Sequence, residues 1–163
     1  MISAARSSPL LRAGVIGLYV LAVEWTRALL AHDSRFIAAG LLLGGVALGL
    51  AALGWPATRL GLGRSRFAVR VIGGLALGAV LLLPAAARSG ALPLLPAGFA
   101  VVAIAVSIGE ELAFRGALYA ALDELGGAPL AVAAAGLLLG LWRWACKDLV
   151  APIIGHVIAD LAL

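Results

Sequence analysis

The stretch FAVVAIAVSIGEELAFRGALYAAL, Phe99–Leu122, decides how the whole chain is read. It is as long as a bilayer-crossing helix, for which about 20 apolar residues suffice. Yet Glu110, Glu111 and Arg115 fall within six residues of one another inside it. Ionisable groups are costly at membrane depth, and where they occur they mark function by default. Whether this stretch is such a span depends on the sequence around it.

Of 163 residues, 64% are hydrophobic and only 12% charged, and the mean hydropathy is +1.13. Soluble domains are near half apolar and about a quarter charged, so this chain has too little polar surface to cover a globule in water. The excess is Ala, Leu, Val and Gly, the residues through which helices pack in lipid. The composition therefore predicts an all-α, polytopic integral membrane protein, with the lipid bilayer as its first partner, over a soluble helical bundle. The net charge of +4 comes almost entirely from arginine. These charges lie between apolar runs, not along one polar stripe, so they read as topology signals and nucleic acid is not an expected partner. Cys146 is the only cysteine, which excludes a disulfide framework and a paired-thiol zinc site; it reads as a packing residue.

Working outward from Phe99–Leu122, about six spans are expected in one bundle. Leu10–Ala31 comes first, interrupted by Glu24 and Arg27. Phe36–Leu53 is followed by the loop GWPATRLGLGRSR, and Phe67–Ala87 by the two-proline turn RSGALPLLPAG. After Phe99–Leu122 and the turn DELGGAP come Leu130–Ala145 and Leu149–Leu163. The last two are short for a full crossing, which makes a homodimer a reasonable arrangement, a second copy completing a thin wall. The first segment has Arg6 and Arg12 before an apolar core, as a signal peptide does. Its helical pattern continues through Glu24 and Arg27, which can pair on one face, so a retained helix is expected. Arg6, Arg12, Arg59, Arg64, Arg66 and Arg70 fall on one side, against Arg35, Arg88, Arg143 and Lys147 on the other. The positive-inside rule then places both termini in the cytoplasm.

Within the charged span, Glu111 and Arg115 are four apart and can form an ion pair on one helix face. Glu110 points about 100° away and finds no neutralising group on its own helix. It reads as the buried, unpaired carboxylate, suited to act as a general base. The last span carries GHVIAD, in which His156 and Asp160 are again four apart on one face. If the fourth and sixth helices pack together, Glu110 and His156 share a pocket able to activate water and stabilise an oxyanion. The competing reading is that paired charges merely hold helices together. Another is a small transporter or proton-relay subunit, since intramembrane carboxylates also serve there. Against the latter, no pair of broken helices occupies matching halves of the chain.

These residues resemble a known family. EELAFRG, Glu110–Gly116, is similar to the EExxxR motif of the CPBP family, the CaaX-protease and bacteriocin-processing intramembrane endopeptidases, which also includes Abi-like proteins. HVIAD, His156–Asp160, resembles its later HxxxN/D motif, and LVAPIIGH resembles the approach to it. The similarity runs from Phe99 to Leu163. Residues 1–98 share only hydrophobicity, so the chain reads as one membrane domain with variable N-terminal helices and a motif-bearing half.

The resemblance implies a glutamate-type intramembrane protease. Glu110 would activate the attacking water, Glu111 and Arg115 would order it or contact substrate, and His156 and Asp160 would stabilise the oxyanion. An ionised Asp160 cannot donate to an oxyanion, so it would be protonated or would orient His156. No cofactor or metal is implied: the four acidic and imidazole groups lack the HExxH spacing that fixes zinc. The implied substrate is a membrane-anchored protein or peptide, such as a bacterial leader or a C-terminal sorting tail, cut in the cytoplasmic membrane of a prokaryote. Prenylated proteins are less expected for so short a chain.

One family motif, FxxxH, is not matched. Either LGLWR puts Arg143 where its histidine is expected, or the segment is absent. The 12 residues between Arg143 and His156 favour absence. The missing histidine keeps open a catalytically degenerate immunity or scaffold protein.

Overall fold

The computed structural model describes residues 14, 16–17, 44, 55–63, 66–89 and 97–162. Apart from residues 14, 16–17 and 44, the first two expected spans, with Glu24 and Arg27, lie outside the described residues. Every regular element among the described residues is helical, so the all-α expectation holds for them.

A short helical turn, α1, Ala57–Leu60, follows Pro56, whose fixed φ suits a helix start. Helix α2, Phe67–Ser89, corresponds to the third expected span. Its Phe67–Arg88 portion, 22 residues at mean hydropathy 2.1, is the one helix among the described residues long and apolar enough to cross a membrane. At 1.5 Å per residue it reaches about 33 Å, the thickness of a hydrocarbon core.

The stretch Phe99–Leu122 is helical throughout but not uniform. Helix α3, Ala97–Glu111, ends on the second glutamate. A π-helical segment, Leu112–Leu118, follows directly and passes into α4, Tyr119–Ala135. Gly127, at φ 76° and ψ 179°, breaks α4 inside the expected turn DELGGAP. The fifth expected span is corrected. Leu130–Ala145 is not one crossing, because Gly136 at φ 84° and ψ 132° separates α4 from α5, Leu137–Cys146. A side chain at Gly140 would meet the Val132 carbonyl oxygen at 2.9 Å, so α5 folds back closely on α4. Helix α6, Val150–Leu161, is the last expected span. Six full crossings are therefore not seen among the described residues: α5 and α6 have only 10 and 12 residues.

α6 packs against both α2 and α3, and small residues make that possible. A Cβ placed at Gly74 would lie 2.6 Å from Ile154 Cβ, and one at Gly155 would lie 2.9 Å from Leu77 Cβ and 3.2 Å from the Gly78 nitrogen. Gly74 and Gly78 are one turn apart on α2, the small-xxx-small spacing of close helix pairs in lipid. Ala113, Ala117, Ala121 and Leu149 are fully buried in one cluster with Leu60.

The N-terminus of α6 is pinned by Asp148. Its carboxylate accepts hydrogen bonds from the backbone N–H groups of Val150 at 3.0 Å and Ala151 at 3.2 Å. It also accepts one from Trp142 Nε1 at 3.3 Å and pairs with Arg70 on α2 at 3.3 Å. A carboxylate at a helix N-terminus satisfies N–H groups that have no partner within the helix. Three elements are thus fixed just before the turn that carries His156.

Candidate active site

Packing α3 against α6 brings the two charged motifs together. His156 Nδ1 lies 2.8 Å from Glu111 Oε1. The same oxygen accepts a hydrogen bond from Arg115 Nη1 at 2.7 Å. With Glu111 as acceptor, Nδ1 is the donor, and the opposite ring nitrogen faces the other carboxyl groups. His156 Nε2 lies 3.7 Å from Glu110 Oε2 and 3.6 Å from Asp160 Oδ2. Those separations exceed a direct hydrogen bond and leave the three polar tips close enough together for one water seated on their exposed side to reach each of them. All five candidate residues therefore meet: Glu110, Glu111, Arg115, His156 and Asp160.

Burial differs from the sequence expectation and corrects it. Glu110 was the carboxylate expected to be buried and unpaired, yet its side chain is 32% exposed and faces His156. Glu111 is the enclosed one, at 0% exposure. The reason is that α6 lays the imidazole over Glu111 while Arg115 covers it from one turn along. Its second oxygen, Oε2, is buried with no hydrogen-bond partner among the described residues. The accessible edge of the cluster is formed by Glu110, His156 and Asp160, the last two 20% and 27% exposed.

The π-helical turn sits directly after the glutamate pair, a placement common at functional sites. A wider turn disturbs the regular ladder, and Arg143 answers one displaced carbonyl. Its Nε donates to the Arg115 carbonyl oxygen at 3.1 Å, and its Nη2 donates to the carbonyl of Arg59 on α1. Its guanidinium carbon also stands 5.2 Å from the centre of the Tyr119 ring, within cation–π range. Arg143 is only 5% exposed. Of the two accounts of LGLWR, the structure gives this arginine partners on α1 and the π segment, where it ties backbone together.

Sequence reasoning missed Ser107. It is fully buried, and its hydroxyl oxygen lies 2.7 Å from the Ala103 carbonyl oxygen and 2.7 Å from Asp160 Oδ2. Its position four residues before Glu111, on the same helix face, was the available signal. Asp148 was also missed: nothing in KDLV separates a helix-anchoring aspartate from a loop charge.

Residues 92–145 match the family model described as type II CAAX prenyl endopeptidase Rce1-like. The similarity to the Rce1-like family thus covers one third of the chain. This is the family group that the EExxxR motif resembles. The Rce1-like match includes Glu110, Glu111, Arg115 and Arg143 and ends before His156 and Asp160. Rce1-like proteins are intramembrane proteases, hydrolases that act on membrane-anchored protein substrates. No curated protein and no solved structure matches the chain.

Proposed function

We propose that this protein is an intramembrane endopeptidase that cleaves a protein or peptide near its membrane anchor with water activated by a glutamate. The observation that carries this reading is the position of His156 Nε2, 3.7 Å from Glu110 and 3.6 Å from Asp160 on the accessible edge of the cluster, so that one water resting on that edge can reach all three. A water on that edge could donate a hydrogen bond to Glu110, which takes its proton as the water attacks the scissile carbonyl. The oxyanion then forms beside His156, whose Nε2–H, when protonated, stabilises it. Glu110 returns the proton to the leaving amine. Glu111 and Arg115 hold the imidazole through Nδ1 and keep its other edge toward the reaction. This places general base and oxyanion donor on two different helices, with Glu111 joining them.

The similarity to type II CAAX prenyl endopeptidases supports a substrate anchored by a C-terminal lipid-modified tail, and the site chemistry serves a bacterial leader or sorting tail equally well. Either substrate would approach from the bilayer, and the protein would reside in that membrane. The test is co-expression with candidate anchored substrates. Glu110→Gln is expected to abolish cleavage at unchanged expression, and undiminished cleavage by that variant removes the mechanism.

A scaffold reading has one observation in its favour: the direct hydrogen bond of His156 goes to the enclosed Glu111, as in a structural latch. It predicts a cellular phenotype that survives Glu110→Gln and is lost when α3 and α6 are separated.

A further inference from the structure

The buried hydroxyl of Ser107 raises a question of proton count. Its oxygen sits 2.7 Å from the Ala103 carbonyl oxygen and 2.7 Å from Asp160 Oδ2, each the usual length of an O–H···O hydrogen bond. Each of those bonds requires a proton of its own. A serine supplies one, and a carbonyl supplies none. Helical serines commonly donate to the carbonyl four residues back, which uses the serine's proton on Ala103. The second proton then has to come from the other partner.

We propose that Ser107 is a positioning residue that holds Asp160 as a neutral carboxylic acid. The Asp160 O–H donates to Ser107 Oγ, and Ser107 donates in turn to the Ala103 carbonyl. The charges around Asp160 favour this assignment. On its own helix it lies 3.6 Å from His156 Nε2, and the same imidazole stands against Glu110 and Glu111 from α3, with Arg115 of the π segment on Glu111. Helix α2 meets this part of α6 through Gly74, Leu77 and Gly78, none of them titratable. An ionised Asp160 would be the third carboxylate set against one imidazole, and like charges held this close repel one another. A neutral Asp160 removes one of them.

The consequence for catalysis rests on the protease reading above. An ionised Asp160, 3.6 Å from His156 Nε2, would repel an oxyanion developing beside that nitrogen. A neutral Asp160 does not, and Ser107 therefore acts on the reaction through Asp160 without touching substrate.

The test is infrared spectroscopy on the full-length protein reconstituted in lipid, with cleavage of an anchored peptide measured on the same preparations. A protonated-carboxyl band is expected that disappears in Asp160→Asn and changes frequency in Ser107→Ala. Ser107→Ala is expected to lower kcat about tenfold, the scale of one lost hydrogen bond at a reacting site, with KM unchanged. Ser107→Thr, which keeps the hydroxyl, is expected to restore both band and rate. Where Ser107→Ala does not fold, Ser107→Cys, with its weaker donor and acceptor, carries the same comparison. A spectrum with no such band, or a band indifferent to Asp160→Asn or to loss of the serine hydroxyl, overturns the assignment. If the band behaves as expected but the parent cleaves no anchored substrate, the protease reading fails and the Ser107 assignment stands.

Discussion

Glu110 and Glu111 are neighbours in sequence, yet one turns its carboxylate to the accessible edge of the cluster and the other is wholly enclosed. The same substitution should therefore have opposite effects at the two positions. Glu111→Gln removes the negative partner of both Arg115 and His156. Breaking a buried ion pair from one side costs about 3 kcal/mol or more, so this variant should melt well below the parent in detergent. Glu110→Gln leaves the enclosed pair intact and should melt with the parent while failing to cleave. Thermal unfolding followed by circular dichroism separates the two. A Glu111→Gln protein as stable as the parent would show that the enclosed cluster does not hold α3 to α6.

Among the elements, the π-helical turn and α5 explain what the departure from FxxxH means for this chain. Arg143 bonds the carbonyls of Arg115 and Arg59 and stacks near Tyr119, so it is a tie between α1, α5 and the π segment. Arg143→His is expected to lower stability and to gain no activity, because a shorter side chain at that position loses the Arg59 contact and does not replace a histidine at the water. A rise in turnover for Arg143→His would return this position to the catalytic set. Much of this level could be read from sequence. The i, i+4 spacings of Glu111 with Arg115 and of His156 with Asp160 follow from helix geometry alone, and apolar length located α2 and α6. The π turn could not be read, because LAFRGAL has ordinary helix formers and its wide turn depends on tertiary packing around Gly116 and Arg143. Nor could the break at Gly136, since a glycine within an apolar run is often tolerated in membrane helices. The exchange of burial between Glu110 and Glu111 depends on where α6 lands, which no local pattern records.

For the whole molecule, the site exists only because α6 can approach α2 and α3 closely at once. Gly74, Gly78 and Gly155 leave no room for a side chain at the crossing, and Asp148 fixes the level at which α6 begins. Gly78→Leu should push Ile158 away, separate α6 from α2 and carry His156 and Asp160 off the glutamates. Loss of both stability and cleavage is expected, whereas Leu83→Ala on the exposed side of α2 should change neither by much. The composition predicts helices packed through small residues, but which glycine meets which isoleucine is set by the fold, Gly74 against Ile154 and Gly78 against Ile158. The central claim is that Glu110 on α3 and His156 on α6 act on one water. It is tested most directly by cleavage kinetics of an anchored peptide with purified, reconstituted parent, Glu110→Gln, His156→Ala and the double variant. Groups that work as a unit are strongly non-additive, so the double variant should be no slower than the slower single one. Losses that multiply in the double variant, or full activity in either single one, would contradict the account.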